Sequence, residues 1–187
     1  MDIGKTLYVK DRKEWREWLA AHFDKEREIW LVFPAKDSGK PRLPYNDAVE
    51  EALAYGWIDS IVKRFGDDSS AQRFSPRKPN SEYSQSNKER LKKLLKEGRV
   101  HPSVLASVKK ALKPDFVFPP DIIKSIKQNS KAWENYRNFS AAYRRIRIAY
   151  IEGARSRPEE FKRRLNNFIK KSELNKLIGY GGIDKYY

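Results

Sequence analysis

Trp57, Asp59, Arg73, Arg77 and Lys78 are the densest set of chemically capable side chains in the sequence, and all fall between Tyr55 and Arg90. Asp59 follows Trp57 by two positions, so on an extended strand both side chains leave the same face. A carboxylate beside an indole, met by Arg73, Arg77 and Lys78 from the next hairpin arm, has two uses. It is either a salt bridge that locks a hairpin or half of a site for an anion or a sugar. Pro76 and Pro79 stiffen the stretch that presents Arg77 and Lys78. Ser81, Ser84 and Asn87 then approach a predicted helix start, where backbone N–H groups favour negative charge. These groups either cradle an anion or cap the helix and brace its loop. Glu50 and Glu51 lie one helix length before Trp57. With Asp59 they offer an acid/base pair, although acids early in a helix also complement its dipole.

A second concentration lies near the C-terminus. Arg144, Arg145 and Arg147 precede Arg155 and Arg157, and Lys162, Arg163 and Arg164 follow, with Tyr136, Phe139, Tyr143 and Tyr150 interleaved. Cations and rings alternating on helices whose other faces are apolar suit either phosphate contacts or a solvated surface. No helix-turn-helix spacing, zinc finger or phosphate-binding loop accompanies them.

The elements that must position these groups follow from periodicity. Trp15, Trp18, Leu19 and Phe23 predict an amphipathic helix over 11–23, and the β-branched and aromatic run 28–36 predicts a buried strand. Val49, Ala52 and Leu53 mark a second helix. Residues 57–65 and 71–75 read as a hairpin around the turn Gly66-Asp67-Asp68-Ser69-Ser70. With residues 6–10 these strands give a small, mostly antiparallel sheet carrying helices. From Ser86 onward the pattern is helical, with Ser86 and Glu89 as a capping box and Gly98 as a stop. A short helix runs from Pro102 to Leu112. Three further helical patterns cover 121–129, 131–153 (broken near Ser140) and 158–171, the last capped by Ser156 and Glu159. The predicted fold class is α+β, with an all-helical C-terminal portion. The expected organisation is an α+β domain over 1–112, a Pro-rich linker over 113–120, a helical domain over 121–171 and a tail over 172–187.

Composition narrows the chemistry. The 187 residues contain no cysteine, which removes disulfides, thiol nucleophiles and thiolate metal sites. The two histidines, His22 and His101, are far apart in sequence, so no metal site is expected and no cofactor loop is visible. No apolar run reaches the roughly 20 residues a membrane-spanning helix needs, and the N-terminus lacks the features of an export signal. A cytoplasmic protein is therefore expected. Charge is uneven: residues 1–100 hold 21 Lys or Arg against 17 Asp or Glu, whereas residues 101–187 hold 19 against 8. An excess of that size in the second half favours anionic partners.

Several segments resemble the YdeI/OmpD-associated, or bacteriocin-protection, family. They are EWREWL (Glu14 to Leu19), EIWLVF (Glu28 to Phe33), Tyr45, AVEEALAYGWIDS (Ala48 to Ser60), the stretch from Arg73 to Arg99, and the stretch from Pro119 to Tyr136. Tyr83 stands where the family usually has Trp, and Glu160-Phe161 stands where Thr-Arg usually follows Pro-Glu. The resemblance implies a role in protection against antimicrobial peptides and supplies no catalytic residues. The leading expectation is a non-enzymatic binding protein whose pocket draws on Tyr45, Trp57, Asp59, Arg73, Arg77, Lys78, Ser84 and Asn87. Its partner would be an anionic small molecule or an acidic group, with Trp57 as a stacking wall. The alternatives are weak nucleic-acid binding through Arg144, Arg145, Arg147, Arg163 and Arg164, and a cofactor-free enzyme with Asp59 or Glu51 as general base.

Overall fold

The computed structural model describes residues 2–79 and 81–179, which divide into two compact units. One runs through Tyr83 and adds Arg90–Leu112; the other combines Ser84–Glu89 with the chain from Lys113 onward.

The first unit is a four-stranded sheet carrying helices. Strands β1 (Thr6–Tyr8), β2 (Ile29–Pro34), β3 (Trp57–Phe65) and β4 (Ser69–Pro76) stand in the order β1-β2-β4-β3. β1 runs parallel to β2 and the other pairs are antiparallel, so the predicted strand regions share one sheet. Helix α1 (Arg12–His22) starts where Asp11 accepts from the amides of Lys13 and Glu14. Trp15 and Leu19, one turn apart, are fully buried. Helix α2 (Tyr45–Ala54) ends before Gly56, whose φ of +74° turns the chain into β3 at a position where a Cβ would strike Val104 at 2.7 Å. Helix α4 is Pro102–Leu112. Trp15, Leu19, Leu31, Leu53, Trp57 and Phe74 belong to the core of this unit.

Register decides which face each strand residue uses. Asp59 pairs with Phe74 and Val62 with Gln72, so two residues of β3 oppose Arg73 in a bulge. Phe74 is in the core, and Asp59 and Gln72 share its face. Arg73 sits opposite Trp30 of β2 and belongs to the other face.

The second unit is helical: α5 (Pro120–Lys127), α6 (Ser130–Asn138), α7 (Ala141–Glu152), α8 (Pro158–Glu173) and the opening turn of α3 (Gln85–Lys96). Ser140 breaks the predicted 131–153 helix by accepting from the Tyr143 amide at 3.1 Å as the N-cap of α7. Ile122, Ile126, Tyr136, Tyr143, Ile151 and Phe168 lie in its core. Two predicted caps are corrected. Ser84, not Ser86, receives the Asn87 amide at 3.3 Å, so α3 begins earlier than expected. α8 has Arg157 at its N-cap position with no side-chain cap bond, so Ser156 does not cap it. Of the predicted tail, Ser172 and Glu173 complete α8, and residues 180–187 lie outside the described residues. Among the described residues no helix is long and apolar enough to cross a membrane.

Candidate functional site

The residues singled out between Tyr55 and Arg90 do not converge as the sequence reading requires. Trp57 is only 1% exposed; its indole donates to the Phe23 carbonyl at 2.9 Å and packs edge-on against Trp18. It is a core residue and offers no stacking wall. Arg73, on the opposite sheet face from Asp59, reaches Glu28 at 2.6 and 2.8 Å. The hydrogen bond from Arg73 is the largest influence holding the Glu28 carboxyl below its ordinary range. Arg77 closes its own loop, donating to the Ser81 and Glu82 carbonyls at 3.2 and 2.8 Å and lying 3.9 Å from the centre of the Tyr83 ring. Lys78 is exposed. Ser84 and Asn87 form the start of α3 and fall in the second unit. Asp59 is joined instead by Tyr45, whose hydroxyl donates at 2.7 Å, and by the Gln72 amide at 2.8 Å, both to the same carboxylate oxygen. Sequence reasoning placed Tyr45 in this neighbourhood and missed Gln72.

Glu51 has a structural setting. Its side chain has no exposed surface, and three guanidiniums surround it. Oε1 accepts from Arg12 Nε at 2.5 Å and from Arg99, and Oε2 accepts from Arg16 at 2.7 Å. Arg12 extends the cluster to Glu50 at 2.7 Å and Asp47 at 3.1 Å. A carboxylate sealed from solvent and clasped on both oxygens cannot reach a substrate proton, so Glu51 is excluded as a general base. The cluster ties α1 to α2 and to the segment after α3.

The second unit sorts the C-terminal arginines. Arg145 is spent on Glu89 in a bidentate pair at 2.7 and 2.8 Å, and Arg144 lies 5.6 Å from the centre of the Tyr136 ring. Arg147, Arg163 and Arg164 share one cleft of about 380 Å³ between α7 and α8. Helical spacing builds it. Arg147, Tyr150 and Ile151 stand at i, i+3 and i+4 on α7; Glu160, Arg163, Arg164, Asn167 and Phe168 repeat the pattern over two turns of α8. Ile178 and Gly179 add a further wall.

The cleft is electrically asymmetric. Glu160 accepts from Arg163 Nε at 2.8 Å and Arg164 Nε at 2.7 Å, and these bonds, Arg164 first, hold its carboxyl below the ordinary glutamate range. Arg164 also reaches the Tyr150 carbonyl at 2.6 Å and lies 3.8 Å from the centre of that ring. Arg147 donates to the Ile178 carbonyl, while the buried Tyr143 hydroxyl accepts from the Ile178 amide at 3.0 Å. Among the described residues, three guanidiniums and one carboxylate line the cleft beside the apolar Ile151 and Phe168. The sequence signal for this arrangement was the helical spacing of Glu160, Arg163, Arg164 and Asn167.

The chain is thus an α+β protein whose helical unit carries an arginine-lined cleft. Residues 7–107 match the family described as a domain of unknown function, DUF8412, and the chain belongs to that family. Residues 115–175 match the family described as bacteriocin-protection, YdeI or OmpD-associated, consistent with the resemblance seen in the sequence. The segments around Trp57 and Pro76 therefore fall in the first match, while α5, α6, α7 and α8 fall in the second. No curated protein and no solved structure matches the chain.

Proposed function

We propose that this protein acts by binding an anionic small molecule or acidic group, and that the binding site is the α7–α8 cleft. The convergence of Arg147, Arg163 and Arg164 on one concavity carries the reading. Guanidiniums in a partly enclosed cleft bind oxyanions through charge-assisted, directional hydrogen bonds. A volume near 380 Å³ falls within the range of about 300–1,000 Å³ typical of small-molecule sites. Asp59, held by Tyr45 and Gln72, lies in the other unit and is not part of this site. A non-catalytic role is favoured because Glu160, the one carboxylate lining the cleft among the described residues, is committed to Arg163 and Arg164.

Thermal shift and calorimetry with phosphate, sulfate and simple carboxylates test the reading. A ligand at 100 times its Kd adds about 2.7 kcal/mol to the unit that binds it. Arg163→Ala, at an exposed position, is expected to weaken binding, and the Arg77→Ala, Lys78→Ala double variant to leave it intact. Anion binding that survives Arg163→Ala combined with Arg164→Lys would move the site elsewhere.

A further inference from the structure

We propose that a second site, on the sheet of the first unit, takes a free α-amino acid with a large apolar side chain; it is independent of the α7–α8 cleft. A concavity of about 360 Å³ lies over the sheet face turned away from the core. Register builds it. Tyr8 pairs with Val32, Pro34 with Ser69, and Ser69 with Phe65. Leu7, Leu31 and Phe33 point to the core, so their neighbours Tyr8, Val32 and Pro34 gather on the outer face.

Tyr8 and Phe65 stand on the two marginal strands, about 14 Å apart at roughly 4.8 Å per strand. They wall the concavity, and Val32 and Pro34 floor it. The walls offer open surface, since Tyr8 is 40% exposed and Phe65 36%. A side chain laid between them covers apolar surface that otherwise faces water, and the two rings favour edge-on or offset contact with an aromatic one.

The rim supplies the polar half. Among the described residues, Lys40 and Asp68 are the charged groups lining the concavity, one of each sign. Lys40 Nζ and Asp68 Oδ2 are 3.3 Å apart, and the side chains keep 58% and 53% of their surface. The ammonium and carboxylate of an α-amino acid sit on one carbon, a span close to that of this pair. Laid antiparallel on it, the ligand carboxylate meets Lys40 and the ligand ammonium meets Asp68, and the resident pair need not break. A ligand with a single charge gains one of these contacts and is repelled by the other member of the pair. The volume is at the small end of the range of about 300–1,000 Å³ for ligand sites and suits one amino acid better than a peptide.

Both rim charges are anchored. The Tyr8 hydroxyl donates to the Pro41 carbonyl at 2.7 Å, holding the loop that carries Lys40 against β1. The Ala35 amide donates to the Asp68 carbonyl at 2.6 Å, and Ser69 Oγ donates to Asp68 Oδ1 at 3.1 Å. The bonds from Ser69 and then Lys40 hold the Asp68 carboxyl below its ordinary range, so it is ionised at neutral pH, where the ligand is a zwitterion.

The test is an NMR titration of the backbone amides at pH 7, a readout suited to the modest affinity of an exposed rim. The probes are phenylalanine, alanine, phenylacetate, phenethylamine and N-acetylphenylalanine amide. Phenylalanine is expected to shift the amides of Val32, Gly66, Asp68 and Ser69 and to bind at least tenfold more tightly than each of the others. Lys40→Ala should weaken phenylalanine and leave phenethylamine no weaker. Asp68→Asn should weaken phenylalanine and leave phenylacetate no weaker, a split that general loss of structure would not produce. Phe65→Ala should weaken phenylalanine, whereas Arg163→Ala should leave it unchanged. Phenethylamine, phenylacetate or the blocked amide binding as tightly as phenylalanine would overturn the recognition of a zwitterion. Equal binding of alanine would overturn the apolar half. Shifts confined to other parts of the chain, or none with any probe, would overturn the site itself.

Discussion

Replacing Glu51 by Gln removes one charge from the sealed cluster without changing its shape, and the expected cost follows from the geometry. The carboxylate accepts three guanidinium bonds, two on Oε1 and one on Oε2. An amide turned to its best orientation keeps its oxygen toward Arg12 and Arg99, and its NH2 then faces the donor of Arg16. One charge-assisted bond, of about 1.5–3 kcal/mol, is lost and two are weakened to neutral strength. Breaking a buried ion pair typically costs about 3–5 kcal/mol. The arginines keep 28%, 39% and 27% of their side-chain surface, so water can take up part of the released charge. The lower end applies, about 3 kcal/mol. For a unit of this size each kcal/mol moves Tm by about 4–8 °C, so the transition should fall by roughly 12 °C or more. Tryptophan fluorescence in urea is the suitable assay, because Trp15, Trp18, Trp30 and Trp57 all report on this unit and only Trp133 on the other. Glu17→Gln, which loosens the exposed 3.9 Å pair with Lys13, is the control and should be silent. A Glu51→Gln loss below about 1 kcal/mol would refute the reasoning, because the cluster would then behave like a surface pair.

Two further outcomes are expected. Gly56→Ala should destabilise by about 2 kcal/mol or more, since alanine pays for a left-handed φ of +74° and its Cβ meets Val104 at 2.7 Å; adding Val104→Ala should recover the steric part, and an additive double variant would show that no clash exists. Burial pushes the Tyr136 phenol up to about 12, against the opposing effect of Arg144. The raised value means its contribution is complete below the ordinary pKa of 10.0 and is lost as pH rises through about 12; spectrophotometric titration should find a late-ionising tyrosine that disappears in Tyr136→Phe, and an unchanged titration would contradict the burial.

Local pattern carried much of the fold. The spacing of Trp15 and Leu19, the β-branched run before Pro34 and the break at Ser140 each depend on near neighbours, and each appears in the structure. What failed depended on distant partners. Glu89 reads as a capping-box acid, but its carboxylate is held by Arg145, 56 residues away. Asp59 and Arg73 read as one constellation, but register puts them on opposite faces, and the bulge that intervenes leaves no trace in residue types. The same holds for Glu51. Read as an acid early in its helix, it suggested a dipole role; it stands instead in the last turn of α2, and only the packing of α1 and the segment ending at Arg99 shows three arginines around it. The cleft was partly legible: its arginines stood out in the sequence, and their convergence depended on how α7 meets α8.

The bulge in β3 also bears on how molecules of this protein meet one another. β3 is an outer strand, and Ile61 and Val62 stand largely exposed on it in a run of strong β-formers. A straight strand of that composition is a template on which another chain can add and grow into fibrils. Two residues opposing one bend the ladder at that point, and Lys63 and Arg64 follow with like charges that repel an approaching copy. At the other margin β1 is only three residues long. Both margins of the sheet thus resist aggregation, one through its irregularity and charge and the other through its brevity.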